Sequence, residues 1–422
     1  MDIKLKPSQV NGQITISGSK SQTIRALLVA TFASGVSTIN NPLFSLDTEA
    51  CISLCKAFGS KIDIFTNKIV VKPPNEFAPE VYADCLNSGT TMYLAATLAA
   101  TINSSVTFTG DNQLVKRPVG ELLNALKTLG CKVEYLKKEN YPPFKLTGPI
   151  KGGDVTLASP TSQYLSSLLL GLPLAEGSSV VNLTLLNEKP YVKMSESWLD
   201  LQNINYSRTD EMDKYLIEGS QSYSGFEATI SGDYSSASFF FAAAAVAKGS
   251  VTVNNLDRYD AQGDKEILNI LSEMGCNIQW TNTNSVTVSS PKGPLKAGKF
   301  DLNAIPDTLP ILAVTACYAK GKTILYNVAQ ARIKETDRIK VMHDNLKVLG
   351  ASVKEGPDYL EIDGDGSLNG GIVSGYDDHR IIMAMAIASL NSDKEITIKG
   401  IDAVNVTFPT FFSQLEQISV PN

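Results

Sequence analysis

The stretch ARIKETDR, residues 331–338, sets Arg332, Lys334 and Arg338 beside Glu335 and Asp337 in a chain that is otherwise mildly apolar. Two kinds of chemistry fit it. On a helix, Glu335 and Arg338 are three apart and Lys334 and Arg338 four apart, so the segment could be a solvated start laced with local ion pairs. It could equally be a general acid/base, Glu335, tuned by flanking cations and set among anchors for an anionic substrate. Lys20, Arg25, Arg117 and Arg380 extend the set, because each lies in or beside the start of an apolar helical pattern. Arginine suits a bidentate grip on carboxylate or phosphate, and lysine a compact charge or a proton. Any one of these cations is explained by a surface ion pair; the six of Lys20, Arg25, Arg117, Lys334, Arg338 and Arg380, at equivalent places in a pattern, are not. Asp307, in IPDTLP, stands at another such start, where an N-cap and a functional carboxylate are both readings.

The elements that must position these groups recur along the chain. One phrase is an amphipathic helix, then glycine, then a short alternating strand: CISLCKAFGSKIDIF (51–65), ELLNALKTLGCKVEYL (121–136), EILNILSEMGCNIQW (266–280) and VMHDNLKVLGASVKEG (341–356), with SESWLDLQNINYSR (195–208) a degenerate copy carrying Asn203 in the glycine's place. The second phrase is a helix of small and apolar residues introduced by polar ones, in copies at 18–35, 87–101, 159–175, 232–249, 306–321 and 376–390. These helices are apolar nearly all round and should be buried. Strand candidates lie between them, such as SVTFTG, SVTVNNL and EITIKGI. Ser, Thr and Asp at the helix starts serve as caps. Capping does not call for Lys20, Arg25, Gln163 or Arg380, whereas an anion at helix N-termini does.

Length and composition bound the function. A chain of 422 residues with 43% hydrophobic content suggests two domains. A net charge of −6 argues against nucleic acid or an anionic membrane as the main partner. The N-terminus has no signal-peptide core and no apolar run approaches a membrane span, so a cytoplasmic protein is expected. Six cysteines form no CxxC pair and sit in apolar patterns, reading as buried thiols. There is no metal-ligand spacing, nucleotide-binding glycine loop or GxSxG elbow. The expectation is chemistry on an anionic substrate by lysines, arginines and carboxylates, with no cofactor and no metal.

The segments SGSKSQTIRALL, NSGTTM, KRPVG, TSQYLSSLL, KPY, GDYSSASFF, IPDTLP, RIKETDR, DDHRIIMAMA and TFPTFF together resemble the 5-enolpyruvylshikimate-3-phosphate (EPSP) synthase family, over essentially the whole chain. The resemblance implies an α/β (α+β) fold: a two-lobed, inside-out α/β barrel of six βαβαββ units, three per lobe, with helix N-termini facing an interlobe cleft that closes on substrate. One lobe would be residues 1–18 plus 231–422, carrying KETDR and DHR; the other would be 19–230, carrying SGSKS, NSGTT, KRP and TSQ. The implied reaction moves the enolpyruvyl group of phosphoenolpyruvate to the 5-hydroxyl of shikimate 3-phosphate, by addition and elimination through a tetrahedral intermediate, with release of phosphate. By motif, Ser21, Arg25, Thr161, Ser162, Gln163, Tyr191, Asp307, Gln330 and Lys334 would hold shikimate 3-phosphate. Lys20, Gly89, Arg117, Arg338 and Arg380 would hold phosphoenolpyruvate, with Lys20, Asp307 and Glu335 catalytic. A monomer is expected.

Several positions depart from the family pattern. Tyr93 stands where arginine usually follows GT-x-M, Val406 where TFP is usually preceded by lysine, and Glu188 where serine usually precedes KPY. Gln330 replaces a common asparagine and Leu86 a common glycine. Two alternatives follow. One is a phosphometabolite-binding paralogue with weak or no turnover. The other is the sister UDP-N-acetylglucosamine enolpyruvyl transferase family, which typically has asparagine after its first catalytic lysine, where this chain has Ser21, and a cysteine before its RP motif, absent from TGDNQLVKRPVG.

Overall fold

A computed structural model describes residues 1–421. The chain divides into two compact units, Gly18–Ile230 and Met1–Ser17 with Ser231–Asn422, and passes between them at 17/18 and 230/231. The first unit holds α1 (Lys20–Thr31), α2 (Leu46–Ala57), α3 (Gly89–Thr101), α4 (Gly120–Thr128), α5 (Ser162–Gly171) and α6 (Lys189–Leu201). The second holds α7 (Tyr234–Val246), α8 (Ile267–Glu273), α9 (Leu309–Cys317), α10 (Arg338–Val348), α11 (His379–Ala388) and α12 (Phe411–Ile418).

The odd-numbered helices are the apolar ones, and composition explains their place. Every residue of α7, α9 and α11 is buried, as a helix without a polar face must be. Each large side chain so removed from water contributes about 1.5–3 kcal/mol. The even-numbered helices bury one face only. After α4 the chain turns at Gly130, φ 94°, and after α6 at Asn203, φ 54°, so asparagine supplies the left-handed residue where the repeat lacks glycine. The helix α12 completes the outer set. It escaped the sequence pattern because no glycine follows it; its strand, Ser419–Pro421, pairs with Ser8–Val10.

Six sheets accompany the helices among the described residues. The clearest unit runs from strand 80–84 through α3 to 105–109, then through α4 to the hairpin 132–135 and 144–147, with a parallel pair first and antiparallel pairs after. Residues 154–217 repeat this around α5 and α6. The first repeat of each unit borrows its leading strand from a distant part of the chain. Strand 227–229 lies parallel to 37–40, and strand 8–15 lies parallel to 250–254.

The two passages between units are built alike. ISGSKS (16–21) and ISGDYS (230–235) share the form Ile-Ser-Gly. A Cβ on Gly18 would lie 2.1 Å from the Asn41 carbonyl oxygen, and one on Gly232 would lie 2.4 Å from that of Asn255, so both positions require glycine. The Asn41 amide donates to the Ile230 carbonyl at 2.7 Å, and Asn255 donates to that of Ile16 at 2.8 Å. Each unit has its own core. In the second, Phe408 and Phe411 of TFPTFF pack on Phe240 at ring separations of 6.0 and 5.7 Å.

Candidate active site

In the second unit, Arg338 opens α10 with its side chain only 1% exposed. Its Nε donates to Asp378 Oδ2 at 2.8 Å and its Nη1 to Asp307 Oδ1 at 2.8 Å. Nη2 donates to Glu335 Oε2 at 2.5 Å and to Asp378 Oδ1 at 3.2 Å. Burial opposes the charged guanidinium, but Asp378, Glu335 and Asp307 together outweigh it and hold Arg338 firmly protonated. Asp307 also meets Arg380 Nη2 at 2.9 Å and Lys334 Nζ at 3.9 Å. Burial alone would raise its carboxyl; Arg380, Lys334 and Arg338 reverse this and keep it well below the usual carboxylate range. Three carboxylates and three cations are thus gathered by a 3-10 turn (Pro306–Thr308), the approach to α10 and the start of α11. Gln330, 3% exposed, ties this region down by donating to the Asn303 carbonyl at 3.0 Å.

Of the two readings of ARIKETDR, each holds for part of it. Arg332 and Asp337 form a local ion pair at 2.6 Å, with Glu355 also on Arg332, and Asp337 caps α10 through the Lys340 amide at 3.0 Å. Lys334 and Glu335 turn instead into the cluster around Arg338. The expected helical spacing is corrected, because α10 begins only at Arg338 and Lys334 is extended. Asp337 takes the cap and stops the helix there, so Glu335 reaches Arg338 from a bend. In KRPVG, Arg117 follows a 3-10 turn over Leu114–Lys116, and α4 starts three residues later at Gly120.

The first unit holds its cations differently. Lys20, the first residue of α1, meets Asp47 Oδ2 at 2.9 Å. Arg25, one turn on and 2% exposed, donates Nε to Ser195 Oγ at 2.9 Å. It also donates Nη1 to the Ser21 carbonyl at 2.9 Å and Nη2 to that of Tyr191 at 3.0 Å. Burial lowers its pKa to about 10, with Tyr191 opposing, which still leaves it charged near neutrality. Arg117 Nη2 donates to Asn87 Oδ1 at 2.9 Å. Gly89 makes room for it, since a Cβ there would lie 2.6 Å from Arg117 Nη1. Tyr93 is used as a buttress: its hydroxyl donates to the Pro118 carbonyl at 2.9 Å, as does Tyr164 at 2.6 Å, and the two rings meet edge-on. Leu86 has φ 49°, which explains the glycine common at that place.

At the start of α5, Thr161 caps the helix by accepting from the Gln163 amide, and Gln163 Nε2 donates to Thr90 Oγ1 at 3.3 Å. Glu188 reaches this helix start from the loop before α6. Its Oε2 accepts from Ser162 N at 3.0 Å, Ser162 Oγ at 2.8 Å and Thr161 Oγ1 at 3.3 Å. Val406 ends a 3-10 turn over Ile401–Val406 and is partly buried.

Within the second unit the structure gathers Asp307, Lys334, Glu335, Arg338 and Arg380; within the first it pairs Lys20 with Asp47 in the first turn of α2, joins Ser21, Arg25 and Tyr191, and sets Arg117 on Gly89. Sequence reasoning missed Asp378 and Asp47 as partners of these cations. Asp378 stood in view beside His379–Arg380 but reads as a plain N-cap, which it also is, through the Arg380 amide at 2.9 Å. Asp47 lies 27 residues from Lys20 and has no local signal.

The family model for EPSP synthase (3-phosphoshikimate 1-carboxyvinyltransferase) matches residues 5–415. The 3-phosphoshikimate 1-carboxyvinyltransferase of Ruminiclostridium cellulolyticum is 44% identical over 418 residues, covering 99% of this chain and 98% of the relative. That of Acetivibrio thermocellus is 42% identical, with 99% and 98% covered. A solved EPSP synthase from Acinetobacter baumannii shares the fold at a TM-score of 0.85 and 24% identity, covering 100% of this chain and 98% of that one. Neither the sister transferase nor a paralogue without turnover is favoured by these likenesses. With a family model spanning nearly its whole length and relatives this similar, the chain belongs to the EPSP synthase (3-phosphoshikimate 1-carboxyvinyltransferase) family.

Proposed function

We propose that this chain transfers the enolpyruvyl group of phosphoenolpyruvate to the 5-hydroxyl of shikimate 3-phosphate, with Lys20, Gly89, Arg117, Arg338 and Arg380 holding phosphoenolpyruvate. Ser21, Arg25, Thr161, Ser162, Gln163, Tyr191, Asp307, Gln330 and Lys334 hold shikimate 3-phosphate. The two lobes, 1–18 with 231–422 and 19–230, share these duties by the motifs they carry. The protein works as a monomer in the cytoplasm.

The observation that carries this reading is the placing of two carboxylates, Glu335 and Asp307, on one buried arginine, Arg338. Addition needs the 5-hydroxyl oxygen to attack C2 of phosphoenolpyruvate while the methylene carbon gains a proton. Elimination removes a proton from the resulting methyl group as the bond to phosphate breaks. Asp307, ringed by cations, is a poor base as it stands and serves first as the acceptor that orients the hydroxyl. When Arg338 and Arg380 turn to phosphoenolpyruvate, their hold on Asp307 weakens and its proton affinity rises. Glu335, protonated at the outset, delivers its proton to the methylene carbon in addition; the carboxylate so formed, steadied by Arg338, takes a proton back from the methyl group in elimination. Lys20, oriented by Asp47, gives a proton to the departing phosphate, which balances the hydroxyl proton taken up by Asp307.

The test is phosphate release on mixing the purified protein with both substrates, each omitted in turn. Release that needs both and yields the enolpyruvyl product is expected. Binding of shikimate 3-phosphate without any release would leave a phosphometabolite-binding protein in its place.

A further inference from the structure

Thr161 and Ser162, which the proposed function gives to shikimate 3-phosphate, are occupied by the protein's own carboxylate. Glu188 is 2% exposed, and one of its oxygens takes the Ser162 amide and the hydroxyls of Ser162 and Thr161. A free N–H of a first helical turn and two hydroxyls are the donors that a phosphate oxygen seeks. Glu188 stands just before α6, where a cap for that helix would be expected, yet it makes no side-chain cap there. Its backbone is instead left-handed, φ 58° and ψ 41°, an unusual state for a residue with a long side chain. The whole residue is bent to serve the start of α5.

A carboxylate and a phosphate cannot hold the same three donors at once, and two buried like charges side by side repel. Resting on the proposed function, we propose that Glu188 is an internal competitor for the phosphate of shikimate 3-phosphate. Its carboxylate occupies the α5 seat in the unliganded protein and leaves when the substrate's phosphate arrives, so it sets how tightly that substrate binds. A serine at this position adds a fourth donor to the seat where the glutamate adds an anion.

The test is calorimetric titration of the full chain with shikimate 3-phosphate, unphosphorylated shikimate and inorganic phosphate. The wild type is compared with Glu188→Ser and with Glu188→Gln, which keeps the size but not the charge. Shikimate 3-phosphate and inorganic phosphate should bind at least about tenfold more tightly to Glu188→Ser, and threefold or more to Glu188→Gln, while shikimate changes by less than twofold. In turnover, the KM for shikimate 3-phosphate should fall and that for phosphoenolpyruvate should not, a split that a purely structural cap would not produce. Equal or weaker binding of both phosphate probes to the variants overturns the proposal. Should the variants fail to fold, the wild-type crystal structure with shikimate 3-phosphate decides. Glu188 should then lie out of hydrogen-bond reach of the Ser162 amide, and a contact of about 3.2 Å or less would overturn the idea. Failure of the underlying reading looks different: the wild type neither binds shikimate 3-phosphate nor releases phosphate, while inorganic phosphate still binds Glu188→Ser more tightly.

Discussion

Arg338 and Arg25 are both buried arginines near the start of a helix, one in each unit, and their surroundings could hardly differ more. Arg338 is ringed by the carboxylates of Asp307, Glu335 and Asp378. Arg25 gives its protons to a serine hydroxyl and two backbone carbonyls. The first arrangement is balanced in charge before any ligand arrives, so an incoming anion must take cations away from carboxylates. The second keeps a full positive charge among neutral oxygens, so an anion gains it without displacing a counterion, and burial without a counter-charge is what lowers its pKa. One cluster is built to rearrange, the other to wait.

The sharpest way to break this contrast is Asp378→Asn. It removes the fully buried partner of Arg338 and should lower unfolding free energy by about 3–5 kcal/mol in denaturant titrations. Glu335→Gln should reduce kcat at least about 10²-fold, while lowering unfolding free energy by less than Asp378→Asn does, because Arg338 keeps Asp378 and Asp307 as counter-charges. Activity surviving nearly intact would remove Glu335 from the acid/base role. Ser195→Ala, the counterpart in the neutral cluster, should cost only about 1–2 kcal/mol. A loss equal to that of Asp378→Asn would mean that the two arginines are held alike after all.

Acid should separate the clusters too. The Asp307 carboxyl is lower in the folded protein than its unfolded value of about 3.9, so its stabilising share is present above about pH 4 and is lost as pH falls below it. The melting temperature of Asp307→Asn should therefore decline less steeply than the wild type's from about pH 4 to pH 2. The smallest effect is expected of Val406→Lys, which adds a cation where the family commonly has one; the KM for phosphoenolpyruvate should fall about threefold, roughly 0.6 kcal/mol.

What was legible in the sequence follows the range of the forces involved. The apolar helices α1, α3, α5, α7, α9 and α11 declare themselves through unbroken small and apolar runs, and their polar starts mark the cations. Asn203 could be read as the left-handed turn because only its own repeat was needed. The ion pairs were not legible, because Asp47 and Asp378 find Lys20 and Arg338 across 27 and 40 residues, and nothing local distinguishes them from ordinary caps. Glu188 could be seen as a misfit beside an anion site, but its seat on Ser162 depends on how the loop before α6 is bent. The start of α10 at Arg338 rather than earlier turned on Asp337 taking the cap.

The borrowed strands bear on how the molecule comes off the ribosome. Residues 8–15 are synthesised long before their parallel neighbour, 250–254, and the strand at 419–421. The unit Gly18–Ile230, completed when strand 227–229 joins 37–40, can settle while the rest is still being made. The N-terminal arm meanwhile has nothing to pair with, and Asp2–Leu5 must wait for 396–399. An N-terminal fusion or an early truncation would thus wound the half of the protein that is born last.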